Sequence, residues 1–143
     1  MLSANIFATR EFVANLVPRS MAEAMNITNI DAPPGRNELT LADLQCAPSA
    51  SVKPPRITNT PVAFQCRLLN ALSFNSDQAV IFGEVITAIV SDDLVLDAAR
   101  GIVDAPKLDV FGAMHAARWY CSTADRFEMI RPTWAQWREG GKV

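Results

Sequence analysis

Two apolar stretches, residues 61–69 and 80–90, flank the polar segment Phe74-Asn75-Ser76-Asp77-Gln78 and commit the chain to a long antiparallel hairpin. In the first stretch Val62, Phe64, Cys66 and Leu68 point one way, and Ala63, Gln65, Arg67 and Leu69 the other. The return stretch is nearly all apolar except for Glu84. A lone carboxylate inside a covered strand is costly. A loop centred near Asn75 and Ser76 sets Arg67 opposite Glu84 as a cross-strand pair, and a slip of one residue would undo it.

A stiff segment leads into this hairpin. In Val52-Lys53-Pro54-Pro55-Arg56-Ile57 the paired prolines fix φ and remove two backbone donors, so they cannot lie inside a sheet. They form a rib that holds Lys53 and Arg56 beside the entrance of the strand. Fixed cations there suit a phosphate or another anion. The plainer alternative is a loop stiffener with two solvated charges.

Shorter elements surround this core. Ser3 caps a first helix with Ile6 and Phe7 turned inward. Residues 11–17 read as a strand, apolar on both faces and so central or covered. Pro18 opens a helix over 19–26 with Met21, Ala22 and Met25 on one face. Residues 27–60 are mostly irregular, with a turn at Ala32-Pro33-Pro34-Gly35 and a helical turn over 39–44. Such a long irregular connection is often functional. Residues 94–96 suggest a short strand and 105–110 a helical turn. Trp119-Tyr120 and residues 127–130 suggest two last strands, and Arg131-Pro132 starts a terminal helix carrying Trp134 and Trp137. The two tryptophans pack against the sheet or at a subunit interface. With strands outnumbering helices, the expected class is mainly β with short helices, a small antiparallel β-barrel.

Composition removes several functions. The 143 residues fit one domain over 1–143, and 50% hydrophobic against 20% charged residues can supply a core. A net charge of −2 lacks the basic balance of a general nucleic-acid binder. No apolar run approaches the roughly 20 residues of a membrane span. Cys46, Cys66 and Cys121 are odd in number and widely spaced, which matches neither a disulfide framework nor a metal site and points to a reducing cytoplasm. Cys66 reads as a small buried hydrophobe. The lone histidine, His115, and the absence of a GxSxG elbow, a P-loop or a Rossmann glycine pattern exclude those chemistries.

What remains is Gly112-Ala113-Met114-His115-Ala116-Ala117-Arg118-Trp119-Tyr120. It gathers a histidine, an arginine and two large aromatics, a set able to stack on a flat heteroaromatic ring and bond its edge. A surface histidine beside core aromatics is the alternative. Ser3 and Asn5, at the start of the first helix, offer polar groups to a phosphate, or simply cap it.

Several segments occur in an order that resembles one family. Asn5-Ile6, Thr9, Glu11-Phe12-Val13 and Asn15-Leu16-Val17 open it. Ala22-Glu23-Ala24-Met25-Asn26, Ala32-Pro33-Pro34-Gly35, Glu38, Leu41-Ala42-Asp43-Leu44 and Pro48-Ser49 continue it. The proline rib, Pro61-Val62, Gly83-Glu84-Val85, the histidine segment, Phe127-Glu128-Met129 and Arg131-Pro132 complete it. Together they resemble the flavin-reductase-like proteins with an FMN-binding split β-barrel.

The resemblance implies an FMN-containing cytoplasmic homodimer that passes hydride from NADH or NADPH to flavin, in many cases to supply a partner monooxygenase. It places Ser3 and Asn5 on the phosphate side, Lys53 and Arg56 on the rib flanking the flavin cleft or the dimer contact, and His115 against nicotinamide or flavin. Tyr120 is implied to be structural. It also implies upstream strands and a Lys-Asp-Thr/Ser phosphate motif just before Ser3, where this chain has Met1 and Leu2. The chain thus reads as N-terminally truncated, with FMN binding by it alone weak or absent unless a dimer partner compensates. Alanines 113, 116 and 117 stand where the family favours glycine, and Gln65 where it favours glutamate. Two alternatives stay open: a non-catalytic FMN-binding split-barrel module and an inactive fragment.

Overall fold

The computed structural model describes residues 2–30, 32–33, 35–75, 78–115, 118–123, 127–131 and 133–138. Its largest sheet is antiparallel, ordered β1-β4-β5, from β1 (Glu11–Leu16), β4 (Val62–Ser73) and β5 (Ala79–Val90). Three two-stranded ladders accompany it: β2 (Cys46–Ala47) with β3 (Arg56–Ile57), β6 (Val95–Asp97) with β7 (Ile102–Val103), and β8 (Phe111–His115) with β9 (Trp119–Ser122). The helices are short: α1 (Leu2–Thr9), α2 (Ala22–Ile27), α3 (Glu38–Leu41) and α4 (Trp134–Arg138). The mainly antiparallel architecture is the expected one. No described helix is long and apolar enough to cross a membrane.

The β4–β5 register sets Arg67 opposite Glu84, as the loop position predicts. Glu11 of β1 also faces Arg67, so a charged row crosses the sheet. Glu84 is exposed, which removes the cost of a buried carboxylate, and among the described residues the one ion pair lies elsewhere, between Lys107 and Asp93. Two register shifts interrupt the hairpin, leaving Ile86 of β5 and Leu69 of β4 without partners. Such bulges add twist. Both strands run beyond the end of β1, and this overhang carries the exposed Leu72, Val80 and Phe82.

Several expectations change. Of the two placements expected for β1, it is not central but an edge strand, and the segment 51–57 bonds to its Glu11 and Asn15 side chains. Ser3 lies inside α1 rather than capping it, and Phe7 is exposed while Ile6 is buried. The segment before α2 is a 3-10 turn, Arg19–Met21. Residues 127–130 form no strand, and α4 begins at Trp134 rather than at Arg131. Pro34 and Pro132 lie outside the described residues, as do the side chains of Ser3, His115 and Trp137. Trp134 is 71% exposed, so it does not pack on this chain's own sheet.

The buried apolar residues are Ile6, Ala42, Val52, Val62, Ala63, Cys66, Leu68 and Leu94. Half of these belong to β4, which is covered on both faces at its first residues. Burial pushes the Cys66 thiol pKa up, because the thiolate would lose its hydration. Cys46 and Cys121 are exposed and all three thiols are free. A thiol-specific reagent at mildly alkaline pH is expected to label Cys46 and Cys121 quickly and Cys66 only as the chain unfolds. Fast labelling of all three in native protein would contradict the buried position.

Candidate functional site

A cleft of ≈ 1140 Å³ opens along the free edge of β1. One wall is α1, through Asn5, Ile6 and Thr9; the floor is β1, through Glu11, Phe12, Val13 and Asn15. The loop over 28–39 forms a second side with Asn29, Arg36 and Glu38, and Pro54, Pro55 and Ile57 close the third.

Local backbone chemistry makes this shape. Arg10 adopts φ 60 at the end of α1, and its N–H donates to Ile6 O at 2.8 Å, closing the helix with a left-handed residue. The chain reverses sharply there, so α1 lies beside the strand it precedes. Thr9 Oγ1 donates to Asn5 O at 2.9 Å and steadies the same turn. On the far side, Asn37 caps α3 by accepting from Leu39 N–H at 3.0 Å.

The proline wall is held by side chains projecting from the sheet. Lys53 N–H donates to Glu11 Oε2 at 2.9 Å, and Ile57 N–H donates to Asn15 Oδ1 at 3.2 Å. Ser51 N–H donates to Gln65 Oε1 at 2.7 Å, and the hydroxyls of Ser51 and Thr87 share a bond of 2.7 Å. Ser49 Oγ donates to Pro54 O at 2.6 Å. The segment is therefore a pinned bend rather than a free extended rib, and it becomes a strand only at Arg56. On the opposite side of β1, the Phe12 ring lies against Gly83, where an added Cβ would meet the ring Cζ and come within 2.8 Å of Cε1.

Of the residues singled out from sequence, Asn5 lines the cleft. Lys53 and Arg56 bracket its proline wall, one on either side of Pro54-Pro55. Ser3 is in α1. His115 ends β8, in a separate ladder opposite Trp119, and is absent from the described lining. Tyr120 stands edge-on to Phe111, ring centroids 5.3 Å apart at 77°, so that ring already has an aromatic partner. Sequence reasoning missed Arg36, the one cation among the described lining residues, and the acceptor roles of Glu11 and Asn15. Alternation along β1 holds the signal for the last two, since Glu11, Val13 and Asn15 share a face.

The cleft exceeds the roughly 300–1,000 Å³ of ordinary ligand sites, room enough for an elongated nucleotide. Apolar Ile6, Phe12, Val13 and the prolines suit a flat ring, and Asn5, Asn29 and Arg36 suit its polar end. Among the described residues no cluster of side chains could hold a metal ion.

A mainly antiparallel sheet with an open cleft along one edge is the architecture these elements build. The chain belongs to the flavin reductase like domain family, whose model matches residues 2–124. A protein of Deinococcus radiodurans is 36% identical over 135 residues, covering 94% of this chain and 59% of the relative. Among solved structures, the Pseudomonas fluorescens 2-nitrobenzoate 2-nitroreductase superposes with a TM-score of 0.84 at 27% identity, covering 93% of this chain and 65% of that one. Nitrilotriacetate monooxygenase component B from Bacillus cereus superposes with a TM-score of 0.79 at 25% identity, over 90% of this chain and 64% of that one. The chain thus spans about three-fifths of the length of these proteins.

Proposed function

We propose that this protein is a cytoplasmic FMN-dependent oxidoreductase that takes hydride from NADH or NADPH and supplies reduced flavin to an acceptor such as a monooxygenase. The observation that carries the reading is the cleft at the β1 edge, with Asn5 in its wall, in a chain of the flavin reductase like family. Asn5 and Arg36 would hold the phosphate end, with Ser3 nearby in α1. Phe12, Val13 and the Pro54-Pro55 wall would flank the ring, and Lys53 and Arg56 would add positive charge at its margin. The flavin, when bound, supplies the hydride chemistry. The residues of this chain bind, orient and exclude water. His115 is proposed to meet nicotinamide or flavin from the β8–β9 ladder.

The same reading includes a homodimer. Large apolar side chains stand exposed among the described residues. They include Leu72, Phe74, Met114, Phe127, Met129 and Trp134, all more than half exposed. Exposed apolar side chains of this kind support an interaction surface, and stable homodimers bury on the order of 2,000–5,000 Å² in total. A second copy would cover it and wall the cleft further.

FMN titration of the full chain, followed by quenching of flavin fluorescence, tests the binding. Saturable quenching is expected, with about tenfold weaker binding in Asn5→Ala, the effect of one lost charge-assisted hydrogen bond. Unaltered FMN fluorescence with wild-type protein would overturn the proposal. NADH consumption with added FMN then separates turnover from binding without catalysis.

A further inference from the structure

Four hydrogen bonds described above fasten residues 51–57 to the sheet, and they are not equal. The acceptors Glu11 and Asn15 sit at the edge strand, and the Glu11 bond to Lys53 N–H is exposed, where water competes for both partners. The carboxamide of Gln65 is different. Its residue is 0% exposed, its Oε1 accepts from Ser51 N–H at 2.7 Å, and its Nε2 has no partner among the described residues. A hydrogen bond in so dry a place is strong, and its loss strands a buried donor. The next residue, Val52, is itself buried at 8% exposure, so the chain is anchored there by packing as well. Thr87, the register partner of Gln65 on β5, holds the Ser51 hydroxyl.

We infer that Gln65 is the positioning residue of the flavin cleft: by fixing Ser51 it sets where Pro54 and Pro55 stand as a wall. The inference rests on the proposed flavin binding at this cleft. The cost of an orphaned Nε2 fits such a role, because an apolar residue at this position would avoid that cost but could not accept from Ser51.

The test compares wild type, Gln65→Met and Gln65→Glu. Amide hydrogen exchange of wild-type protein is expected to show Ser51 N–H protected as strongly as the β4 ladder. In Gln65→Met, which keeps the side-chain length, Ser51 N–H loses that protection and FMN binds about tenfold more weakly. In Gln65→Glu, which keeps an acceptor for Ser51 N–H, protection and FMN affinity stay within a few-fold of wild type. Rapid Ser51 exchange in wild type overturns the inference even where Gln65→Met fails to fold. So does a folded Gln65→Met that binds FMN like wild type. Failure of wild type itself to bind FMN, with Ser51 protected, would sink the flavin reading instead.

Discussion

Gly83→Val is expected to lower stability by about 1–3 kcal/mol, the usual range for overpacking a filled site, and, on the proposed function, to weaken FMN binding as well. Gly83 faces Leu68 across the hairpin, and the Phe12 ring occupies the space a side chain would need. Backbone strain is not the cause, because Gly83 is not among the positive-φ positions. The valine must push the ring, and Phe12 also contributes to the lining of the cleft. Cys66 Cβ, 3.3 Å from the new Cβ, limits retreat in the other direction. Urea unfolding and flavin fluorescence titration read the two effects. Adding Phe12→Leu should recover part of the stability, a coupling that a double-mutant cycle measures directly. A Gly83→Val protein as stable as wild type would show that the ring moves without cost.

Leu94→Ala should cost more, about 2–5 kcal/mol, from lost transfer energy and the cavity left behind. Leu94 is 3% exposed, lies just beyond the end of β5, and accepts from Asp104 N–H at 2.8 Å, so the backbone around it cannot easily collapse inward. Against a total stability of roughly 5–15 kcal/mol, this is a large fraction. Leu96, two residues on and 65% exposed, supplies the contrast: Leu96→Ala should stay within about 0.5 kcal/mol. Chemical denaturation midpoints for the pair decide it. Equal losses would mean that Leu96 is covered in solution, as by a second copy.

The hairpin was legible in the sequence because its signal is long and two-fold periodic. Alternation from Val62 and a turn near Asn75 sufficed to set Arg67 across from Glu84. The limits of the same signal explain the misses. Cys46–Ala47 and Arg56–Ile57 form strands too short for any periodicity, and their pairing is fixed by the pinned loop between them. Residues 127–130 have strand-forming side chains yet no neighbouring strand to pair with among the described residues. In the cleft, Asn5 was found because the family resemblance marks the start of α1. Arg36 was missed because its place depends on how the loop over 28–39 folds back, which no local pattern encodes. His115 was judged by its neighbours in sequence, whereas its place depends on the pairing of β8 with β9, a ladder apart from the β1 sheet.

The pairing of β1 with β4 has a consequence for how this cleft can change. The groups that hold the proline wall, Glu11 and Asn15, and the ring that lies against Gly83, Phe12, alternate along one strand of six residues. Scaffold and pocket therefore share a single specification. Substitutions can tune the cleft residue by residue, but inserting or deleting one residue in β1 would exchange the two faces together. The wall would lose its acceptors in the same event that took the Phe12 ring off Gly83, so length variation in this strand is closed to the protein as a route to a new ligand.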